Sequence, residues 1–158
     1  MEITIDVLEN IQDAPCELLL LADPSEEKVK EYLNRGQCYI ATNELKTIGV
    51  LVLLRTRPGT MEIVNIAVSE DVQGKGIGKK LVSYAIDKAK EQHVTTLEIG
   101  TGNSSLAQLG LYQKCGFRIT GVDRDFFVRH YDEEIIENGI LCRDMIRLSL
   151  DVGTPSDR

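Results

Sequence analysis

The chain has no long apolar run. Runs such as Leu18 to Ala22 are far short of the roughly 20 residues that a membrane-crossing helix needs. The N-terminus lacks a basic stretch followed by an apolar region, so no secretion signal is read there. The four cysteines, Cys16, Cys38, Cys115 and Cys142, form no C-x-x-C pair and have no histidine at metal-ligand spacing. They read as reduced thiols of a cytoplasmic protein, with no metal and no disulfide framework. Basic residues are also in short supply: 18 against 25 acidic give a net charge of −7. That field repels phosphate backbones and disfavours nucleic acid, while a cationic small molecule is a natural partner. No internal repeat, linker or low-complexity segment is present.

Hydrophobic residues at 42% and charged residues at 27% of 158 describe an ordinary globular chain, able to bury roughly 70% of its unfolded surface. One domain over 1–150 is expected, with 151–158 (DVGTPSDR) as a frayed tail. Ile3, Ile5 and Val7 alternate with polar neighbours, as in a half-buried strand. Asp23-Pro24-Ser25-Glu26 sets a cap, an early proline and a carboxylate for a helix that stops at Gly36. Residues 37–42 and 46–55 read as hairpin strands around a turn at Asn43-Glu44, and Pro58-Gly59 leads into a fourth strand over 60–69. Ile77, Leu81, Ala85 and Ala89 mark one face of a helix over 76–92. A strand over 95–100 follows, then a helix over 105–115 with a Ser105/Gln108 capping box and a stop at Gly116. Strands over 117–128 and 140–150 close the chain, with an acidic segment, Tyr131 to Gly139, between them.

The loop Gln73-Gly74-Lys75-Gly76-Ile77-Gly78-Lys79-Lys80 joins the fourth strand to the most regular helix. Its glycines leave backbone N–H groups uncovered at a helix N-terminus, a geometry that holds anions. It is not a Walker loop, because Gln73 stands where glycine is required and Lys80 where Ser or Thr is required. Lys79 likewise breaks the dinucleotide fingerprint. What remains is Gln-x-x-Gly-x-Gly on Gln73, Gly76 and Gly78. This resembles the acyl-CoA motif of the GNAT N-acetyltransferases. Leu111-Tyr112-Gln113-Lys114-Cys115-Gly116-Phe117 resembles that family's L-Y-x-K-x-G-F helix ending, and the order of elements is similar over about residues 2 to 150.

The resemblance implies an α/β (α+β) fold with a mixed, mostly antiparallel sheet of six to seven strands and about four helices. It implies acetyl-CoA as co-substrate, an amine acceptor, and no metal; a homodimer stays open. It places the coenzyme pyrophosphate on the amides of Gln73, Gly74, Lys75, Gly76, Ile77, Gly78 and Lys79. The pantetheine arm would run along the main chain of Ile66, Ala67 and Val68, where two strands splay. Lys75, Lys79 and Lys80 either add charge there or are ordinary surface lysines. The family's coenzyme-arm Asn falls on Ser105 here, and Asn103 is the nearest candidate.

Glu62 matches the glutamate base of histone-type members in its spacing from the loop, acting directly or through a water; an exposed strand-end glutamate is the alternative. Strand alternation puts it on one face with Val64 and Ile66, where a partly apolar setting raises a carboxylate's pKa. Tyr112 matches the family's general acid, and a core-filling aromatic is the alternative. His93 reads as a surface residue, and His130 lies in the variable segment. The acids Asp123, Asp125, Asp132, Glu133, Glu134 and Glu137, interleaved with Phe126, Phe127 and Tyr131, suggest a wall for a cationic acceptor; a solvated loop is the alternative. The competing function is a non-catalytic acyl-CoA-binding or sensing module.

Overall fold

A computed structural model describes residues 2–153. The strands are β1 (Thr4–Val7), β2 (Gln37–Asn43), β3 (Lys46–Arg57), β4 (Thr60–Val68), β5 (Thr96–Gly102), β6 (Arg118–Asp123), β7 (Ile136–Glu137), β8 (Ile140–Leu141) and β9 (Met145–Asp151). Seven of them form a sheet ordered β1-β2-β3-β4-β5-β9-β6, while β7 and β8 pair separately. Every sheet pairing is antiparallel except β4 with β5. The helices are α1 (Cys16–Ala22), α2 (Glu26–Arg35), α3 (Ile77–Glu91), α4 (Leu106–Lys114) and α5 (Phe126–His130). The expected mixed, mostly antiparallel architecture is the one observed.

Two cores sandwich the sheet, which is why β3 is apolar without interruption from Ile48 to Leu54. Leu51 and Leu53 face a core with Leu81, Val82, Ala85, Leu97, Leu148 and Phe117 on the α3/α4 side. Val50 and Val52 face Leu18, Leu19, Val29 and Leu33 of α1 and α2. Helix α1, which the sequence reading did not place, is a short run of leucines. Its polar and apolar residues show no helical spacing, and docking on β3 and β4 defines it.

Several boundaries differ from expectation for local reasons. The hairpin turn is Glu44-Leu45, both residues at positive φ. Ser25, not Asp23, caps α2, its Oγ accepting from Lys28 N at 3.2 Å; Asp23 precedes a proline and is held extended. The expected strand over 117–128 stops at Asp123, and Phe126–His130 turns as helix α5. Residues 151 and 152 are not frayed: β9 includes Asp151, and Val152 is buried with its N–H bonded to Thr95 O at 2.9 Å. Residues 154–158 lie outside the described residues.

A bulge in β4 reorients the strand that matters most. The register with β3 passes from Val52↔Asn65 to Leu53↔Ile63, so Val64 is an extra residue. The residues of a bulge break the strict alternation of the strand. Met61 and Ile63 therefore face the α3/α4 core before the bulge, and Ile66 and Val68 face it afterwards, while Val64 and Ala67 face α1 and α2. This corrects the expectation that Glu62 shares a face with Ile66: Glu62 points to the α1/α2 side.

The bulge is tied down from that side. Asn65, 3% exposed, donates from Nδ2 to Leu19 O at 2.9 Å and to the Tyr32 hydroxyl at 2.7 Å. Tyr32 donates to Asp23 Oδ2 at 3.2 Å, and Tyr131 to Asp23 Oδ1 at 2.8 Å. Asn65→Ala removes both bonds, leaving Leu19 O with its backbone partner Asp23 N alone, and is expected to cost about 1–3 kcal/mol. The corresponding drop in Tm is roughly 3–10 °C, readable by calorimetry.

Candidate functional site

Strands β4 and β5 are paired only from Thr60↔Thr96 to Ile63↔Ile99. Beyond that point β5 continues along β9 to Gly102, and β4 continues along β3 to Val68. The main chain of Val64–Val68 is left without a β5 partner, and a slot opens between the two strands. Ile66 and Val68 are half-buried beside it and Ala67 is buried.

The slot runs into the glycine loop. Gln73 folds back, its Nε2 donating to Val68 O at 3.1 Å, which ties the loop to the strand end. Gly76 occupies the N-cap of α3 at φ 83°, without a side-chain cap and without an acidic residue in the first turn. A Cβ at Gly76 meets nothing within 4 Å, so its left-handed φ, not crowding, selects glycine. The uncapped N–H groups and the helix dipole leave roughly half a positive charge there. Lys75, Lys79 and Lys80 are exposed around it, and Ile77 is sunk into the core. A Cβ at Gly78 would lie 3.4 Å from Leu111 Cδ2 and 4.0 Å from Val68 Cγ2; loop, strand end and α4 therefore converge.

Tyr112, on α4, is 4% exposed and tilted against Phe117 at 6.3 Å between ring centroids. Burial, with Cys115 nearby, pushes its hydroxyl well above the usual phenol range. It belongs to the α3/α4 core, whereas Glu62 points to the opposite face of the sheet. Glu62 is half-buried. Its pKa is raised chiefly by burial and further by the neighbouring Glu98, against the lowering effects of Arg147 and Arg57.

Other candidates are occupied by structural work. Asn103 Oδ1 accepts from Arg143 N at 2.9 Å and Asp144 N at 3.0 Å, and its Nδ2 donates to Leu141 O at 3.1 Å. That amide holds the connection into β9. The Ser105/Gln108 capping box does not form. Ser105 donates to Glu137 Oε1 at 2.7 Å instead, because the β7–β8 hairpin delivers that carboxylate to the start of α4. The Asn138-Gly139 turn of this hairpin, both residues at positive φ, is the sequence signal that marks it.

Of the six acids of the expected wall, two are neutralised by ion pairs and Glu137 is hydrogen-bonded to Ser105. Asp123 pairs with Arg129 at 2.8 Å and with Arg147 at 3.7 Å, and Asp125 pairs with Arg143 at 3.1 Å. Asp132, Glu133 and Glu134 are exposed. The His130 carbonyl accepts from Lys28 Nζ at 3.1 Å, and that ammonium lies 5.0 Å from the centre of the Tyr131 ring, so α5 is docked onto α2. His93 is exposed at φ 57° after α3. Among the described residues no group of three His, Cys, Asp or Glu is placed to hold a metal, and no helix is long and apolar enough to cross a membrane.

Comparison with known proteins decides the family, because the acetyltransferase (GNAT) family matches residues 6–117. The chain belongs to that family. It is 60% identical over 151 residues to the N-acetyltransferase YvbK of Bacillus subtilis (strain 168), covering 96% of this chain and 97% of that one. A Bacillus subtilis acetyltransferase structure in complex with CoA superposes with a TM-score of 0.91 at 61% identity, over 95% of this chain and 99% of that one. A GNAT acetyltransferase from Elizabethkingia anophelis with acetyl-CoA bound superposes with a TM-score of 0.92 at 48% identity, over 94% and 97%. The expected enzyme class, N-acetyltransferase, agrees with these relatives, and so does the expected co-substrate.

The raised pKa of Glu62 carries a stability consequence. A carboxyl that binds its proton more tightly when folded contributes stability that is fully present below its unfolded value, about 4.3, and lost as pH rises through the folded value. Once ionised, the Glu62 carboxylate carries the desolvation cost of its half-buried site. Glu62→Gln is therefore expected to have a higher Tm than wild type at about pH 8 and to lose that advantage toward pH 4; a lower Tm at pH 8 would contradict it.

Proposed function

We propose that this acetyltransferase moves the acetyl group of acetyl-CoA to a primary amine by direct attack. The observation that carries the reading is the β4–β5 gap leading straight into the uncapped N-terminus of α3. An extended pantetheine arm suits the unpaired edge at Ile66–Val68, and a pyrophosphate suits the amides of Gln73, Gly74, Lys75, Gly76, Ile77, Gly78 and Lys79. CoA and acetyl-CoA in the two similar structures support the choice of donor.

The amine must be neutral to attack, and an aliphatic ammonium has a pKa near 10.4. Glu62, with its raised pKa, is the group that takes the proton. The amine nitrogen bonds to the thioester carbonyl carbon, the carbonyl oxygen takes the charge, and the C–S bond then breaks. Tyr112 stays protonated throughout the working range because burial raises its pKa. A thiol with pKa about 8.5 is then the stronger acid, so Tyr112 acts by hydrogen-bonding the departing thiolate more than by fully surrendering its proton. Glu62 and Tyr112 face opposite sides of the sheet, which suits a reaction with amine entering from one face and thiol leaving on the other.

Free CoA thiol, followed against a panel of polyamines, aminoglycosides, amino acids and peptide N-termini, tests the reading. Turnover with at least one amine is expected, whereas a binding module releases none. Gly76→Glu is expected to abolish acetyl-CoA binding in calorimetry, through charge repulsion at the helix start and left-handed strain of about 1–2 kcal/mol. An unchanged Kd in the folded variant would remove the coenzyme site from this loop. Tyr112→Phe is expected to lower kcat about 10- to 1000-fold with little change in acetyl-CoA affinity, and an unaltered kcat would leave Tyr112 as a core residue.

A further inference from the structure

We propose that Glu98 and Arg147 are positioning residues for Glu62, placing charges of opposite sign on the same sheet face beside its carboxylate at the mouth of the β4–β5 gap. The proposal rests on the reading of Glu62 as the base and adds the residues that control it. Glu98 is the direct register partner of Glu62 across the parallel β4–β5 pair. Neighbouring strands are about 4.8 Å apart, and paired residues present their side chains on one face. Two carboxylates therefore stand side by side at the mouth of the gap, an arrangement that favours keeping a proton on one of them.

Glu98 is held in place by Arg57, with Nη2 at 2.9 Å from Oε2 and Nη1 at 3.5 Å from Oε1. Arg57 thereby neutralises part of Glu98 and fixes its position beside Glu62. Arg147 belongs to the same face one pleat further on, since Glu98 pairs with Ser149 and Gly100 with Arg147. Its guanidinium is loosely engaged: Asp123 Oδ2 is 3.7 Å away, Asp123 Oδ1 already takes Arg129 at 2.8 Å, and the Phe126 ring centre is 5.9 Å off. A loosely held cation keeps most of its field for a nearby carboxylate.

The groups around Glu62 are then Arg57 from β3, Glu98 from β5, Arg147 from β9 and Asp123 of β6 behind it. On the helix side stand Asp23, Tyr32 and Tyr131, tied to Asn65 and to one another. A like-charge pair beside a half-buried carboxylate does nothing for the sheet. Beside the reaction gap it keeps Glu62 basic, and Arg147 limits how far that goes.

The test uses full-length Glu98→Gln and Arg147→Gln, with Glu62→Gln assigning the Glu62 carboxyl resonance. The carboxyl carbon shift is titrated by NMR in the free protein, and kcat/KM is plotted against pH per unprotonated amine. Glu98→Gln is expected to lower the Glu62 midpoint by about half a pH unit or more, and Arg147→Gln to raise it by a similar amount. On the acid limb, relative to the plateau, Glu98→Gln gains about 3-fold and Arg147→Gln loses about 3-fold. Midpoints that stay put, or move the same way in both variants, overturn the proposal. Opposite NMR shifts with an unmoved rate profile uphold the control of Glu62 ionisation and overturn Glu62 as the base. Circular dichroism of each variant separates these results from loss of fold.

Discussion

The single extra residue at Val64 organises the site. Opposite Val52 and Leu53 it breaks the pleat of β4, and β4 and β5 stay paired only up to Ile63↔Ile99. The same bulge turns Ile66 and Val68 toward α3 and α4 while Asn65 reaches α1 and α2. An unbroken strand would present its apolar residues in strict alternation; the bulged one serves two cores and a gap at once. Its stability comes from elsewhere, through the Asn65 bonds to Leu19 and Tyr32 and the two tyrosine hydroxyls on Asp23.

Charge is distributed with a clear division. The chain is acidic overall at −7, yet the first turn of α3 has no acid and Lys75, Lys79 and Lys80 surround it. An anion is therefore attracted locally by a molecule that repels anions at long range, which favours a small ligand over a polyanion. On the sheet face around Glu62 the pattern reverses to closely alternating Arg57, Glu98 and Arg147. There the charges nearly cancel at a distance and act mainly on one another and on Glu62.

Much was legible because the relevant signals are local. The stripe Ile77, Leu81, Ala85 and Ala89, the Pro58-Gly59 turn, and the left-handed glycines at 74 and 76 are set by backbone conformation and side-chain period within a few residues. Other features escaped because their meaning is non-local. Helix α1 is a leucine run with no helical period. Ser105 reads as a cap until the β7–β8 hairpin brings Glu137 to it. Asn103 reads as a ligand contact until Arg143 and Asp144 are seen to donate to it. Asp123 and Asp125 look as free as their acidic neighbours in one dimension and are ion-paired in three.

By itself, then, the sequence determined the family-like order of elements and the glycine loop at the head of α3, and it nominated Glu62 and Tyr112 as candidates, all through spacing along the chain. Only the tertiary structure decided which face Glu62 points to, because a one-residue bulge inverts alternation and no residue type announces it. It alone also decided which polar side chains are occupied. A hydrogen bond or ion pair is made by whatever the fold brings within about 3 Å, and Glu98, Arg147, Asp23 and Tyr131 reach their partners from strands and helices far apart in the chain.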